Sequence, residues 1–186
     1  MSEPAKKKAT YNDLYSIPDN MTGEIIDGEL ILTPRPTRRH ADAASALGGE
    51  LVPPFRFGRG GPGGWIIYDE PEIHFDKDII VPDLAGWRKE RLATPPEEHR
   101  FTTPPDWVCE ILSPSTARND GVKKMRIFAL HGVKHAWLID PILMTLEVLE
   151  LELGRWTLLG TYAENDKVRA EPFHEIEIDL RDLWTE

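Results

Sequence analysis

The sequence predicts a mixed α+β domain whose central sheet includes a parallel pair of strands, and three stretches carry that prediction. Residues 104–141 run from an apolar segment, Trp107-Val108-Cys109-Glu110-Ile111-Leu112, through a Ser/Pro/Thr turn and a basic helix over 120–130, into a second apolar segment, Ala136-Trp137-Leu138-Ile139. Strand, crossover helix and strand is the connection that a parallel pair requires. Residues 24–32, EIIDGELIL, and residues 145–162 each set two strand-like runs around a turn, the mark of antiparallel hairpins.

The remaining elements follow in chain order. Residues 1–9 hold Lys6-Lys7-Lys8 and no apolar periodicity, so they read as a disordered tail ahead of a single domain at 10–186. Thr10 caps a short helix that runs to Ile17 and stops at Pro18. Asp27-Gly28 is a pair preferred in two-residue turns, and Pro34 and Pro36 end the second strand of the hairpin. Across 37–52, His40, Ala43, Ala44, Leu47 and Leu51 recur at helical spacing, and Pro53-Pro54 stops that helix. GRGGPGG at 58–64 has the glycine content of a phosphate-binding loop but neither the Lys-Ser/Thr ending nor a following helix; it reads as a flexible surface loop. Residues 65–68, 71–75 and 79–87 read as strands, the last two joined at Asp76-Lys77-Asp78. Residues 88–105, charged and proline-rich, form a loop or short helix. The later hairpin, 145–153 with 156–162, turns at Gly154-Arg155, and 173–184 supplies a last short strand and a helical turn.

At 186 residues the chain suits one domain with a real core. It has no apolar run of membrane-spanning length, and MSEPAKKKATYND lacks the apolar region of a secretory signal, so a cytoplasmic protein with no membrane partner is expected. The single cysteine, Cys109, excludes an intramolecular disulfide and a cysteine-clustered zinc site, and inside an apolar strand it reads as core. A net charge of −10 argues against broad nucleic-acid binding, which relies on Lys and Arg neutralising phosphates. Basic residues nonetheless cluster at Arg35, Arg38 and Arg39, at Arg56 and Arg59, and at Arg118, Lys123, Lys124 and Arg126. That distribution is compatible with one basic face on an acidic body, the plain alternative being scattered surface charge.

A carboxylate within an apolar strand is costly to desolvate, so it is paired, hydrogen-bonded or bound to a cation. Glu110 is one such residue, and Asp83, in IIVPDLAGW at 79–87, is another. On neighbouring strands the two could hold a divalent cation, with oxygen ligands suited to magnesium or manganese. Each has a structural alternative: Asp83 as a turn residue after Pro82, Glu110 as half of a buried ion pair with Lys124, Lys124 as a solvated helix residue. His40 is a candidate ligand, phosphate contact or supporting donor, against a cap or surface role. Glu29 is a candidate supporting carboxylate, against an exposed hairpin residue. Glu72 and Asp120 are further options, Asp120 being better placed as an N-cap. Ser113 and Ser115 lack the glycine-flanked elbow of a serine nucleophile and read as turn formers.

A strand with Pro-Asp, a strand with a central Glu and a helix with Lys, in that order, resemble the PD-(D/E)XK nuclease superfamily. More narrowly, six stretches are similar to the Uma family of restriction-endonuclease-like proteins, formerly a domain of unknown function. They are EIIDGELIL, the helix near His40, VPDLAGW at 81–87, EILSPST at 110–116, Asp120 and Lys124 followed by HGV at 131–133, and WLIDP at 137–141. The resemblance covers nearly the whole chain. It implies a restriction-endonuclease-like sheet flanked by helices, Asp83 and Glu110 as ligands of Mg2+ or Mn2+, and Lys124 as a third catalytic residue. In the parent superfamily the lysine lies two residues after the acid on the same strand, where this chain has Leu112, so it has moved to the following helix; Lys123 is the weaker counterpart. The implied activity is Mg2+-dependent endonucleolytic hydrolysis of DNA by a homodimer. A non-catalytic binding or regulatory protein of nuclease fold, and a metal-dependent hydrolase of small phosphoesters, are the alternatives.

Overall fold

The computed structural model describes residues 8–98 and 100–184; of the tail expected at 1–9, residues 1–7 lie outside the described residues, and Ala9 is held by its N–H bond to Gly28 O. A short helix α1 (Tyr11–Leu14) precedes the hairpin β1 (Met21–Ile26) and β2 (Glu29–Pro34), and α2 (Arg38–Leu51) follows. Next come β3 (Trp65–Asp69), β4 (Glu72–Phe75), β5 (Asp78–Ile80), β6 (Leu84–Arg88), β7 (Arg100–Phe101) and β8 (Trp107–Ile111). Helix α3 (Met125–Leu130) leads to β9 (His135–Asp140), the hairpin β10 (Thr145–Glu152) and β11 (Arg155–Ala163), and the short pair β12 (Lys167–Val168) and β13 (Ile178–Asp179).

The strands form a five-stranded sheet, β2-β1-β5-β4-β7, a six-stranded sheet, β11-β10-β9-β8-β6-β3, and the two-stranded β12-β13. As the sequence predicts, β8 and β9 are parallel and α3 lies on the connection between them. At β8 the six-stranded sheet is buried on both sides. Trp107, Cys109 and Ile111 of β8 pack with Leu47 and Leu51 of α2 and with Phe173 and Leu180 of the C-terminal segment. Val108, on the opposite face by the two-residue alternation of a strand, packs with Ile26 and Ile80 of the five-stranded sheet and Phe128 of α3. Glu110 shares the face of Val108, which places a carboxylate where the two sheets and the crossover meet.

Several predicted boundaries shift, each for a local reason. The first helix keeps its Thr10 cap, closed reciprocally with Asp13, but ends at Leu14. Pro53-Pro54 does not stop the chain from coiling: a wide π-type turn, Val52–Arg56, continues α2, since a residue without an N–H breaks the α ladder while still allowing longer-range bonds such as Phe57 N–H to Val52 O. The single strand expected over 79–87 is two strands in different sheets, broken at Val81-Pro82-Asp83, because proline donates nothing to a ladder. The crossover helix begins as another wide turn, Asn119–Lys124, so Asp120 sits inside it and is not the N-cap that the sequence suggested. The later hairpin turns on Leu153-Gly154, both at positive φ, rather than on Gly154-Arg155. Strands β7 and β12, two residues each, are too short for any periodicity to reveal. Among the described residues no helix is long and apolar enough to cross a membrane.

Candidate active site

The break at Pro82 ends with Asp83 directly before β6, and antiparallel pairing of β6 with β8 sets Leu84 opposite Cys109. Asp83 is thereby carried to the end of β8 that holds Glu110. Its Oδ2 accepts the Ile111 backbone N–H at 2.6 Å, and His40 Nε2, from the first turn of α2, lies 3.0 Å from its Oδ1. His40 is fixed by its helix, whose Thr37 cap accepts the His40 N–H.

Glu110, 1% exposed, meets Lys124, 3% exposed, with Glu110 Oε2 3.2 Å from Lys124 Nζ. The ammonium has three more oxygen partners: Glu24 Oε1 at 2.9 Å, Asp120 Oδ1 at 3.1 Å and the Val81 carbonyl at 3.2 Å. Glu24 also accepts the Val81 N–H, which ties β1 to the break before Asp83. Burial pulls the Lys124 pKa down, but Glu110, Glu24 and Asp120 outweigh it and hold the ammonium well above its ordinary range. Burial pushes the Glu110 carboxyl well up against the opposing pull of Lys124, and raises Glu24 in the same way. Desolvation disfavours the His40 cation, yet its bond to Asp83 wins and its pKa rises.

These groups line one cavity of about 260 Å³, whose mouth carries Ser113, Ser115 and Thr116 from the loop after β8 and Arg35 from the loop after β2. Five carboxylates, Glu24, Glu70, Asp83, Glu110 and Asp120, line the cavity with one ammonium, one guanidinium and one imidazole, so it carries surplus negative charge unless protons or a cation neutralise it. Glu110 Oε1 is buried without a hydrogen-bond partner. Among the described residues no three His, Cys, Asp or Glu side chains converge as a ready metal cage. The Lys124 ammonium occupies the centre of three of the acids, and His40 covers one Asp83 oxygen. The donor set still fits a hard divalent cation that takes only two protein carboxylates, Asp83 and Glu110, and fills its other positions with water and phosphate oxygens.

Of the residues singled out in the sequence, Asp83, Glu110, Lys124, His40 and Asp120 come together. Glu29 does not line this cavity; it is exposed at the start of β2 beside a separate depression. Glu72 bonds His74 at 2.7 Å on β4, also outside the cavity. The carboxylate that the first hairpin does supply is Glu24, which the sequence reading missed. Its signal was the one that revealed Glu110: an acid whose strand neighbours, Ile25 and Ile26, are apolar.

The family model described as "Putative restriction endonuclease" matches residues 9–181. The chain belongs to this family, Uma2. No curated protein matches it. A crystal structure described as "a putative nuclease belonging to DUF820", from Anabaena variabilis, shares 22% identity with this Uma2 chain. The match covers 95% of this chain and 97% of that one, at a TM-score of 0.74. At that identity the likeness establishes the fold.

Proposed function

We propose that this Uma2 protein is a Mg2+-dependent endonuclease that hydrolyses DNA phosphodiester bonds, with Asp83 and Glu110 as the metal ligands and Lys124 as the third catalytic residue. The observation that carries the reading is that Asp83, directly before β6, and Glu110, on the paired strand β8, line one cavity, with the Lys124 ammonium 3.2 Å from Glu110. When bound, Mg2+ supplies Lewis-acid polarisation of the phosphoryl group and a water of lowered pKa. Lys124, held charged by its carboxylates, acts as a hydrogen-bond donor rather than a base: an N–H released by one of its four oxygen partners orients the attacking water and stabilises charge developing on the phosphoryl oxygens. Glu24 and Asp120 fix the ammonium, and His40 fixes Asp83. On a duplex substrate a cut in each strand needs two sites, which a homodimer would supply.

One observation favours a second reading, a nuclease-fold protein that binds or regulates without cutting. The Lys124 ammonium is enclosed by four oxygens, as in a purely structural ion cluster. Calorimetric titration with Mg2+ and Mn2+, then incubation with plasmid DNA, separates the two. Under the first reading the wild type binds metal and nicks the plasmid, and Asp83→Ala and Glu110→Ala lose both properties. A wild type that binds neither metal leaves the second reading in place.

A further inference from the structure

A second cavity, about 380 Å³, adjoins the first and shares Thr37 and Ser113 with it. Its volume falls within the range of small-ligand clefts, roughly 300–1,000 Å³. Half of its lining is apolar, Leu112, Pro114, Pro141 and Ile142, with Ile142 51% exposed. Arg38 and Arg39, at the start of α2, line it as well. Arg38 pairs with Asp42, whereas Arg39 is exposed and has no carboxylate partner among the described residues. Apolar residues and an exposed guanidinium lining one cavity beside a candidate phosphoryl-transfer site match one chemical unit, a nucleoside joined to a phosphate.

We infer that this second cavity holds the nucleotide next to the scissile phosphate, its base and sugar against Ile142, Pro141 and Pro114 and its own phosphate on Arg39. The inference rests on the nuclease reading and deepens it: the substrate is a strand that continues past the reacting centre, not a small phosphoester that ends there. A base lying flat on those residues has left its stack, so single-stranded or frayed DNA is favoured over intact duplex. The phosphate contact supplies salt-dependent affinity, and the apolar lining adds a contact that tolerates any base.

The test is binding, which does not require cleavage. Fluorescence anisotropy of a labelled single-stranded oligonucleotide is measured with Ca2+ in place of Mg2+, on the full chain, on Arg39→Ala and on Ile142→Ala. Both substitutions are at exposed positions, and unchanged melting temperatures verify folding. Arg39→Ala should weaken binding about tenfold and reduce the slope of log affinity against log salt by about one. Ile142→Ala should weaken binding about fivefold on the normal strand and leave binding unchanged on an abasic strand of the same length. Wild-type affinity in both variants, no wild-type binding, or tighter binding of blunt duplex than of single strand would overturn the inference. Weakened binding in the variants, with a wild type that cleaves nothing in Mg2+ or Mn2+, would sustain the nucleotide cavity and defeat the nuclease reading.

Discussion

Lys124 Nζ lies 2.9 Å from Glu24 Oε1, closer than to Asp120 at 3.1 Å or Glu110 at 3.2 Å. The lysine thus joins β1 of the five-stranded sheet to β8 of the six-stranded sheet and to its own turn. Removal of one partner from a buried ion cluster leaves uncompensated charge, a loss of about 3–5 kcal/mol. Lys124→Met, which keeps the bulk of the stem, should therefore lower unfolding stability in urea at neutral pH by about that amount, with partial recovery in mild acid as the carboxylates protonate. A loss under about 1 kcal/mol would mean that the sheets are held together without it.

Burial is the largest cause that raises Glu110, and Asp120, Asp83 and Glu24 add to it against Lys124. The folded protein therefore keeps a proton on Glu110 over a pH range in which the unfolded chain, titrating near 4.5, has released it. That contribution is complete below the unfolded value and is lost as pH rises through the folded one. In EDTA, Glu110→Gln should gain urea stability relative to wild type as pH rises from about 5 to about 8. A difference that stays flat across that window would show that Glu110 is not raised.

The fold was legible because its signals are local. Asp27-Gly28 turns at positive φ as its residue types require, Thr37 caps α2, and the strand-helix-strand pattern around Glu110 gives the parallel pair. Asp83, Glu110 and Lys124 were legible as polar groups in apolar settings. The break before Asp83 was not, although Pro82 marks it, because the apolar runs on either side of Pro82-Asp83 read as one strand and their division between two sheets is a matter of long-range pairing. Nor was the side on which each acid falls: Glu24 and Glu29 lie on the same hairpin, but only Glu24 is in the register that faces Lys124.

Divalent metal should bind the folded chain alone, since the unfolded chain cannot bring Asp83 and Glu110 together. At a concentration about a hundredfold above the dissociation constant, linkage adds about 2.7 kcal/mol, read as a rise in melting temperature with Mg2+ or Mn2+. His40→Ala removes the imidazole that orients Asp83 and should weaken metal binding about tenfold to a hundredfold, so the same metal concentration gives a smaller rise. An undiminished rise in His40→Ala would release His40 from that positioning role.

Gly86 lies mid-strand in β6, opposite Ile67 of β3 on one side and Trp107 of β8 on the other. A Cβ there would stand 3.2 Å from Trp65 Cε3 and 3.3 Å from Trp107 Cε3. Neither indole can yield: both are buried, and the Phe173 ring lies 4.9 Å from each. The glycine is required for space rather than for its backbone angles. Overpacking of this kind costs about 1–3 kcal/mol, against about 0.4–1 kcal/mol that alanine returns by restricting the unfolded chain. Gly86→Ala should therefore lose about 1 kcal/mol in urea unfolding and Gly86→Val at least twice that, since valine drives two further methyls between the rings. Because Gly86 does not line the cavity, metal affinity of the folded fraction should be unchanged. Equal stability of both variants with wild type would show that the two indoles repack freely, contrary to the tight contacts around Phe173.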